Sequence, residues 1–305
     1  MQSPVTGSKN VSLMREIPVS QIVDAYQEGL GIDVRRFFKK MPTVGLYQCL
    51  DTGYRFYYPL TLAGDDAFYQ ELESFPWYYM DSKWEHEIAA SLIGQEDTVL
   101  EIGCAEGGFL KKLRAKGVHA EGLELNSSAL EKCRAAGLTV YPVLIEEFAK
   151  QKPAAYDVVC SFQVLEHVPK VREYITASLA TLRPGGRMIV SVPNNESLVL
   201  RAPGPETLNA PPHHMGLWDV NSLIHLQKFF PMSIEGVYLE PLQKYHTGFA
   251  SKVAGEAVSK KLREKLPIPR GIAQKVAGRF GYTSAEALAE HIVGHTVVAV
   301  FKKHD

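Results

Sequence analysis

Cysteine is scarce in this 305-residue chain: Cys49, Cys104, Cys133 and Cys160 stand far apart and form no C-x-x-C pair. That excludes a zinc knuckle and a disulfide framework, and it fits a reducing cytoplasm. Long apolar runs are missing too; stretches such as residues 188–192 fall well short of the roughly 18 residues that cross a bilayer. Net charge is nearly absent, since 33 Lys+Arg against 34 Asp+Glu leave −1. No global field therefore steers the protein to nucleic acid or an anionic membrane, and no nucleic-acid partner is expected. Residues 1–17 lack the apolar stretch of a secretory signal and read as a mobile tail.

What is present is an ordinary globular composition, 46% hydrophobic and 22% charged, long enough for one large or two small domains. From residue 82 short apolar runs alternate with amphipathic stretches. Helices are expected at 82–93, 109–116, 127–136, 171–182 and about 219–228. Strands are expected at 98–102, 118–125, 138–143, 157–162 and 188–192, with two late strands at 233–239 and 295–301. Strands alternating with helices imply right-handed crossovers and a parallel sheet covered on both faces. Residues 252–279 carry eight Lys/Arg against two Glu and read as a helical insertion. The first 81 residues are rich in aromatics (Tyr54, Phe56, Tyr57, Phe68, Tyr69, Trp77, Tyr78) and read as a lid or subdomain packed on the sheet.

The strongest local feature is Val99-Leu100-Glu101-Ile102-Gly103-Cys104-Ala105-Glu106-Gly107-Gly108, a buried strand entering a small-residue turn and then a helix. Small residues let a ligand approach the backbone, and helix N–H groups then face it. The glycines alone also fit a loose dinucleotide fingerprint, which leaves a nicotinamide-dependent oxidoreductase open. Glu101, two residues before Gly103, suits an ammonium group better than a pyrophosphate. Glu124 falls at the end of the second strand, where a carboxylate can accept both ribose hydroxyls.

With Glu121-Gly122-Leu123-Glu124, Tyr156-Asp157-Val158-Val159, Val164-Leu165-Glu166-His167-Val168, Leu182-Arg183-Pro184-Gly185-Gly186 and Val192-Pro193-Asn194 following in order, the chain resembles the class I S-adenosylmethionine-dependent methyltransferases. The resemblance implies a Rossmann-like α/β fold with seven mostly parallel strands, the last inserted antiparallel. It also implies a methyltransferase domain over 82–305 with a helical insertion at about 247–292, an N-terminal substrate segment over 1–81, and S-adenosylmethionine as cofactor. By position, Glu101, Gly103, Ala105 and Gly107 would surround the methionine part and Glu124, followed by Leu125, the ribose. Ile145 and Glu146 are the candidates for adenine, and Gln163 and Val164 would line the cofactor beside the reacting centre. Ala105 stands where a glycine is common, which is tolerable unless the backbone there needs φ > 0.

On the acceptor side Glu166 and His167 follow the fourth strand, and His213 and His214 follow the fifth. A histidine there could deprotonate a hydroxyl, because its pKa lies near neutrality. Some members that methylate vicinal hydroxyls hold a divalent metal through a glutamate, a Glu-His pair and a further histidine. Gln163 takes the place of that first glutamate, and a neutral amide is the poorer ligand for a hard cation, so no metal is expected. The expected reaction is O-methylation of a small molecule or a sugar of a glycan precursor. N- or C-methylation and a catalytically silent cofactor-binding scaffold remain alternatives.

Overall fold

The computed structural model describes residues 1–75, 78, 80, 82–197, 208–247, 251, 259 and 292–305. The chain begins with strand β1 (Val11–Pro18), helix α1 (Val19–Leu30) and a single turn, α2 (Arg35–Phe38). Strands β2 (Thr43–Cys49) and β3 (Arg55–Tyr58) and helix α3 (Asp66–Glu73) follow. Asp65 caps α3 by accepting from the Phe68 N–H at 3.0 Å, which satisfies one of the donors a helix start leaves open. The three strands form an antiparallel sheet that a short fourth, Gly216–Leu217, completes. Its core is aromatic: Tyr26, Phe38, Tyr57 and Phe68 are buried with Ile17, Leu62 and Leu72.

The main body starts at α4 (Trp84–Leu92) and alternates β4 (Thr98–Ile102), α5 (Gly108–Ala115), β5 (His119–Leu123), α6 (Ser127–Ala135), β6 (Val140–Tyr141), α7 (Ile145–Gln151), β7 (Tyr156–Phe162), α8 (Val171–Thr181) and β8 (Leu182–Pro193). After β9 (Gly216–Leu217) and the short α9 (Val220–Ile224) come β10 (Met232–Pro241) and β11 (Val293–Lys303). The sheet order is β10-β11-β8-β7-β4-β5-β6, with β11 antiparallel to both neighbours and the other pairs parallel. This is the seven-stranded architecture expected. Its central strands are buried on both faces, and the short apolar runs Val99-Leu100, Val158-Val159-Cys160 and Met188-Ile189-Val190 sit in their buried stretches. Among the described residues no helix is long and apolar enough to cross a membrane.

Three expectations change. Residues 1–17 are not a mobile tail: Val5 and Ile17 are buried, and Val11–Pro18 pairs with β2 along its length. Helix α7, which carries Ile145 and Glu146, was not expected; its seven residues are too few to show a period. The segment expected over 1–81 recruits Ala210, Met215 and Leu217 into its core, so its packing unit is discontinuous in sequence. The expected helical insertion at about 247–292 lies almost wholly outside the described residues, as do Trp77 and residues 198–207. Replacing Ile17, 4% exposed, by alanine should cost about 2–4 kcal/mol in urea denaturation, where a mobile tail would show no change.

Candidate active site

One cavity of about 870 Å³ runs along the carboxyl edge of the large sheet, where ligands of open α/β folds bind. Its first half lies over β4, β5 and β6. The turn after β4 carries Gly103 at φ +71° and Ala105 at φ +46°, both facing the cavity. The backbone at Ala105 thus does adopt the left-handed conformation that disfavours a side chain, a strain that marks a functional turn. Glu124, at the end of β5, holds the turn: its Oε2 accepts from the Ala105 N–H and its Oε1 from the Asn126 N–H, each at 2.8 Å. Burial pushes the Glu124 carboxyl up, and these backbone donors pull it partly back. Leu125 and Leu144 are 54% and 55% exposed on the same wall, an apolar surface open to a flat ring, with Ile145 and Glu146 beside them.

Two expected residues do not reach the cavity. Glu101 lies behind the turn, 3% exposed, with its Oε2 unpaired and its carboxyl pushed well up by burial. Gly107 caps α5 at φ +75°; a Cβ there would meet Leu138 Cδ1 at 2.3 Å, so its role is packing. Lys83, to which the sequence assigned no role, stands on the cavity wall just before α4, and its charge acts on the buried Glu101 carboxyl. Its signal was position alone, a lone lysine ahead of the first helix of the main body.

The second half of the cavity collects the histidines. His167 follows β7, and His213 and His214 come from the loop before β9; their ring centroids are 4.5, 5.0 and 4.6 Å apart. Hydrogen bonds fix all three tautomers. His167 Nδ1 lies 2.7 Å from the His213 carbonyl and His213 Nδ1 lies 3.0 Å from the Leu208 carbonyl, so both carry a proton there. Asn195 Nδ2 donates to the Trp218 and Pro193 carbonyls, which leaves its Oδ1 to accept from Asn209 Nδ2 at 2.7 Å. Asn209 Oδ1 is then free to accept the His214 Nδ1–H at 3.0 Å. Every Nε2 therefore keeps a lone pair, and that of His213 accepts from the Tyr78 hydroxyl at 3.2 Å. Burial lowers the His167 pKa to about 4 and holds His213 and His214 well below the usual range, so all three are neutral.

Glu166 is 1% exposed, with Oε1 3.9 Å from His167 Nε2 and Oε2 unpaired; burial pushes its carboxyl up to about 8. One ligand atom from each histidine lies within 4.8 Å of the others. Nδ1–H groups tied to oxygens with Nε2 turned inward are what a histidine metal ligand requires, so this donor set fits a divalent cation. Gln163 is not part of it, since its Nε2 donates to Glu85 Oε1 at 3.2 Å.

A seven-stranded sheet with one antiparallel strand inserted between β10 and β8, a binding turn after β4 and an acid ending β5 is the arrangement expected of the class I S-adenosylmethionine-dependent methyltransferases. The chain belongs to the methyltransferase-domain family, whose profile matches residues 77–232, and S-adenosylmethionine is accordingly its cofactor. Among curated relatives, the ubiquinone biosynthesis O-methyltransferase of Bordetella bronchiseptica is 33% identical over 117 residues, 36% of this chain and 48% of that protein. That of Vibrio atlanticus is 35% identical over 102 residues, 32% of this chain and 43% of that protein. The chain thus spans less than half the length of these relatives. A solved S-adenosylmethionine-dependent methyltransferase from Archaeoglobus fulgidus shares the fold, with a TM-score of 0.51 and 15% identity over 78% of this chain and 100% of that one.

Glu124→Ala leaves the Ala105 and Asn126 N–H groups without their acceptor and removes a charge that can take ribose hydroxyls, each such bond worth roughly 1.5–3 kcal/mol. Isothermal titration should show affinity for S-adenosylhomocysteine reduced tenfold or more in a protein with unchanged circular dichroism.

Proposed function

We propose that this protein transfers the methyl group of S-adenosylmethionine to a hydroxyl oxygen of a small molecule or of a sugar in a glycan precursor. The observation that carries this reading is the cluster of three neutral imidazoles on the cavity wall, two of which, His167 and His214, have an Nε2 that no hydrogen bond from the described residues engages. Hydrogen-bond acceptors so placed orient an O–H donor and aim its own lone pair at the methyl group, and positioning alone supplies much of the rate in such transfers. As the oxygen takes the methyl group it becomes a strongly acidic oxonium. An imidazole of pKa about 4 is basic enough to receive the proton at that moment. In the cofactor half, Gly103 and Ala105 would floor the methionine part, Glu124 would accept the ribose hydroxyls, and Leu125, Ile145 and Glu146 would enclose adenine. Lys83 would meet the methionine carboxylate. Names carried by the relatives support an oxygen acceptor, and a soluble, cytoplasmic setting accords with the reduced cysteines.

Lys83→Met should weaken S-adenosylhomocysteine about tenfold while leaving its decarboxylated analogue, 5′-deoxy-5′-(3-aminopropylthio)adenosine, unaffected in the same titration. Equal losses for both ligands would remove the carboxylate assignment.

A second reading is favoured by the tautomers: His167, His213 and His214, with Glu166, would hold a divalent cation, whose chemistry is to acidify a bound hydroxyl. The metal-free reading expects turnover to survive EDTA and to fall by roughly 10²-fold when the responsible histidine becomes alanine. Loss of activity in EDTA with recovery in Mn²⁺ or Zn²⁺, and metal retained by the wild type but not by His213→Ala in elemental analysis, would replace it with the cation.

A further inference from the structure

The cavity does not end at the histidines. Beyond β8 it continues over the start of β11, where His295 and Thr296 line it, and it is roofed by the first turn of α4 with Glu85. This end is on the opposite side of β7 from the cofactor half, since the sheet runs β11-β8-β7-β4-β5.

We propose that this end is a subsite for a second, hydroxyl-bearing part of the acceptor, and that Glu85 is the residue that reads it. The proposal rests on the O-methyltransferase reading and narrows its acceptor to a polyhydroxylated, sugar-like ring. Glu85 is 3% exposed yet forms part of the cavity wall. Its Oε1 receives the Gln163 amide, and no other hydrogen bond reaches its carboxylate from the described residues. A carboxylate has about four acceptor sites, and burying it with one donor leaves a desolvation cost that O–H donors of a ligand would offset.

The surroundings hold Glu85 in place. Gln163 sits at φ +56°, a conformation glutamine rarely adopts, and its N–H is fixed to the Ser191 carbonyl at 2.9 Å. The Thr296 N–H donates to Glu240 Oε2 at 2.9 Å, and Glu240 is itself 2% exposed, so the far wall is also a fixed polar surface. Glu85, His295 and Thr296 are polar, in contrast to the open leucines at the adenine end. An apolar chain laid here would strip water from Glu85 and return no hydrogen bond.

The test uses the full chain saturated with S-adenosylhomocysteine. Saturation-transfer NMR is recorded with a pool of methyl hexopyranosides and methyl 6-deoxyhexopyranosides, and separately with 4-pentylcatechol. The expected result is transfer to at least one glycoside, weakened about tenfold or lost in Glu85→Ala and reduced in the isosteric Glu85→Gln, with affinity for S-adenosylhomocysteine within twofold of wild type. Silent glycosides beside a bound pentylcatechol would overturn the proposal, as would glycoside binding that Glu85→Ala leaves intact. A tenfold loss of S-adenosylhomocysteine affinity in Glu85→Gln would also overturn it, by giving the carboxylate to the cofactor. Failure of the parent reading is separate and appears first, as a wild type that does not bind S-adenosylhomocysteine at all.

Discussion

The arrangement of the acceptor side depends on one carbonyl group. Glu166 C=O, in the turn after β7, accepts the N–H groups of both Met215 and Gly216, at 2.8 and 2.9 Å. Those two residues lead into β9, which is the last strand of the N-terminal sheet. A single oxygen thus joins the two sheets at the point where the second supplies its catalytic candidates. From the other side the same loop is held by the Tyr26 hydroxyl on the Ala210 carbonyl and the Tyr57 hydroxyl on the Asn209 carbonyl, at 2.8 and 2.9 Å. A loop pinned from both faces cannot swing, so His213 and His214 keep their register against His167.

This clamp also sets the electrostatics. Packing the loop between Phe68, Tyr69 and the β7 turn removes the imidazoles from water, and desolvation is the largest influence on all three. Their mutual approach adds to it for His213 and His214. Neutrality in turn makes the Nδ1 hydrogen bonds decisive: a protonated imidazole would have no lone pair to offer, whereas His167 and His214 offer one each and His213 gives its own to the Tyr78 hydroxyl. The Asn195–Asn209 relay matters for that reason, because it carries the orientation of two main-chain carbonyls through two amides to the His214 ring.

Much of the first half of the cavity wall was legible in the sequence. Strand β4 falls at the expected 98–102, and Glu124, Leu125, Ile145, Glu146, Gln163 and Val164 all line the cavity. Continuous aliphatic runs bounded by glycine carry that signal, since a strand buried on both faces has no other way to be satisfied. The same logic fails for β1, which is exposed along nearly its whole length and shows no alternation. It fails again for Glu101: sequence order gives its distance from Gly103 but not the side of the pleat to which it points. Lys83 and Glu85 were invisible for a related reason, because their meaning comes from α4 lying across the sheet edge.

The division between legible and illegible follows the division between the two ligands. The family profile stops at residues 77 and 232, and within those bounds lie the turn, Glu124 and the three histidines. Tyr69 falls before them, and His246, His295 and Thr296 fall after them, yet all four line the acceptor half. The profile therefore takes in the turn, Glu124 and the histidines together and leaves part of the cavity wall outside its bounds. Tyr69, His246, His295 and Thr296, all able to form hydrogen bonds, are among what the chain adds to the cavity wall from outside those bounds.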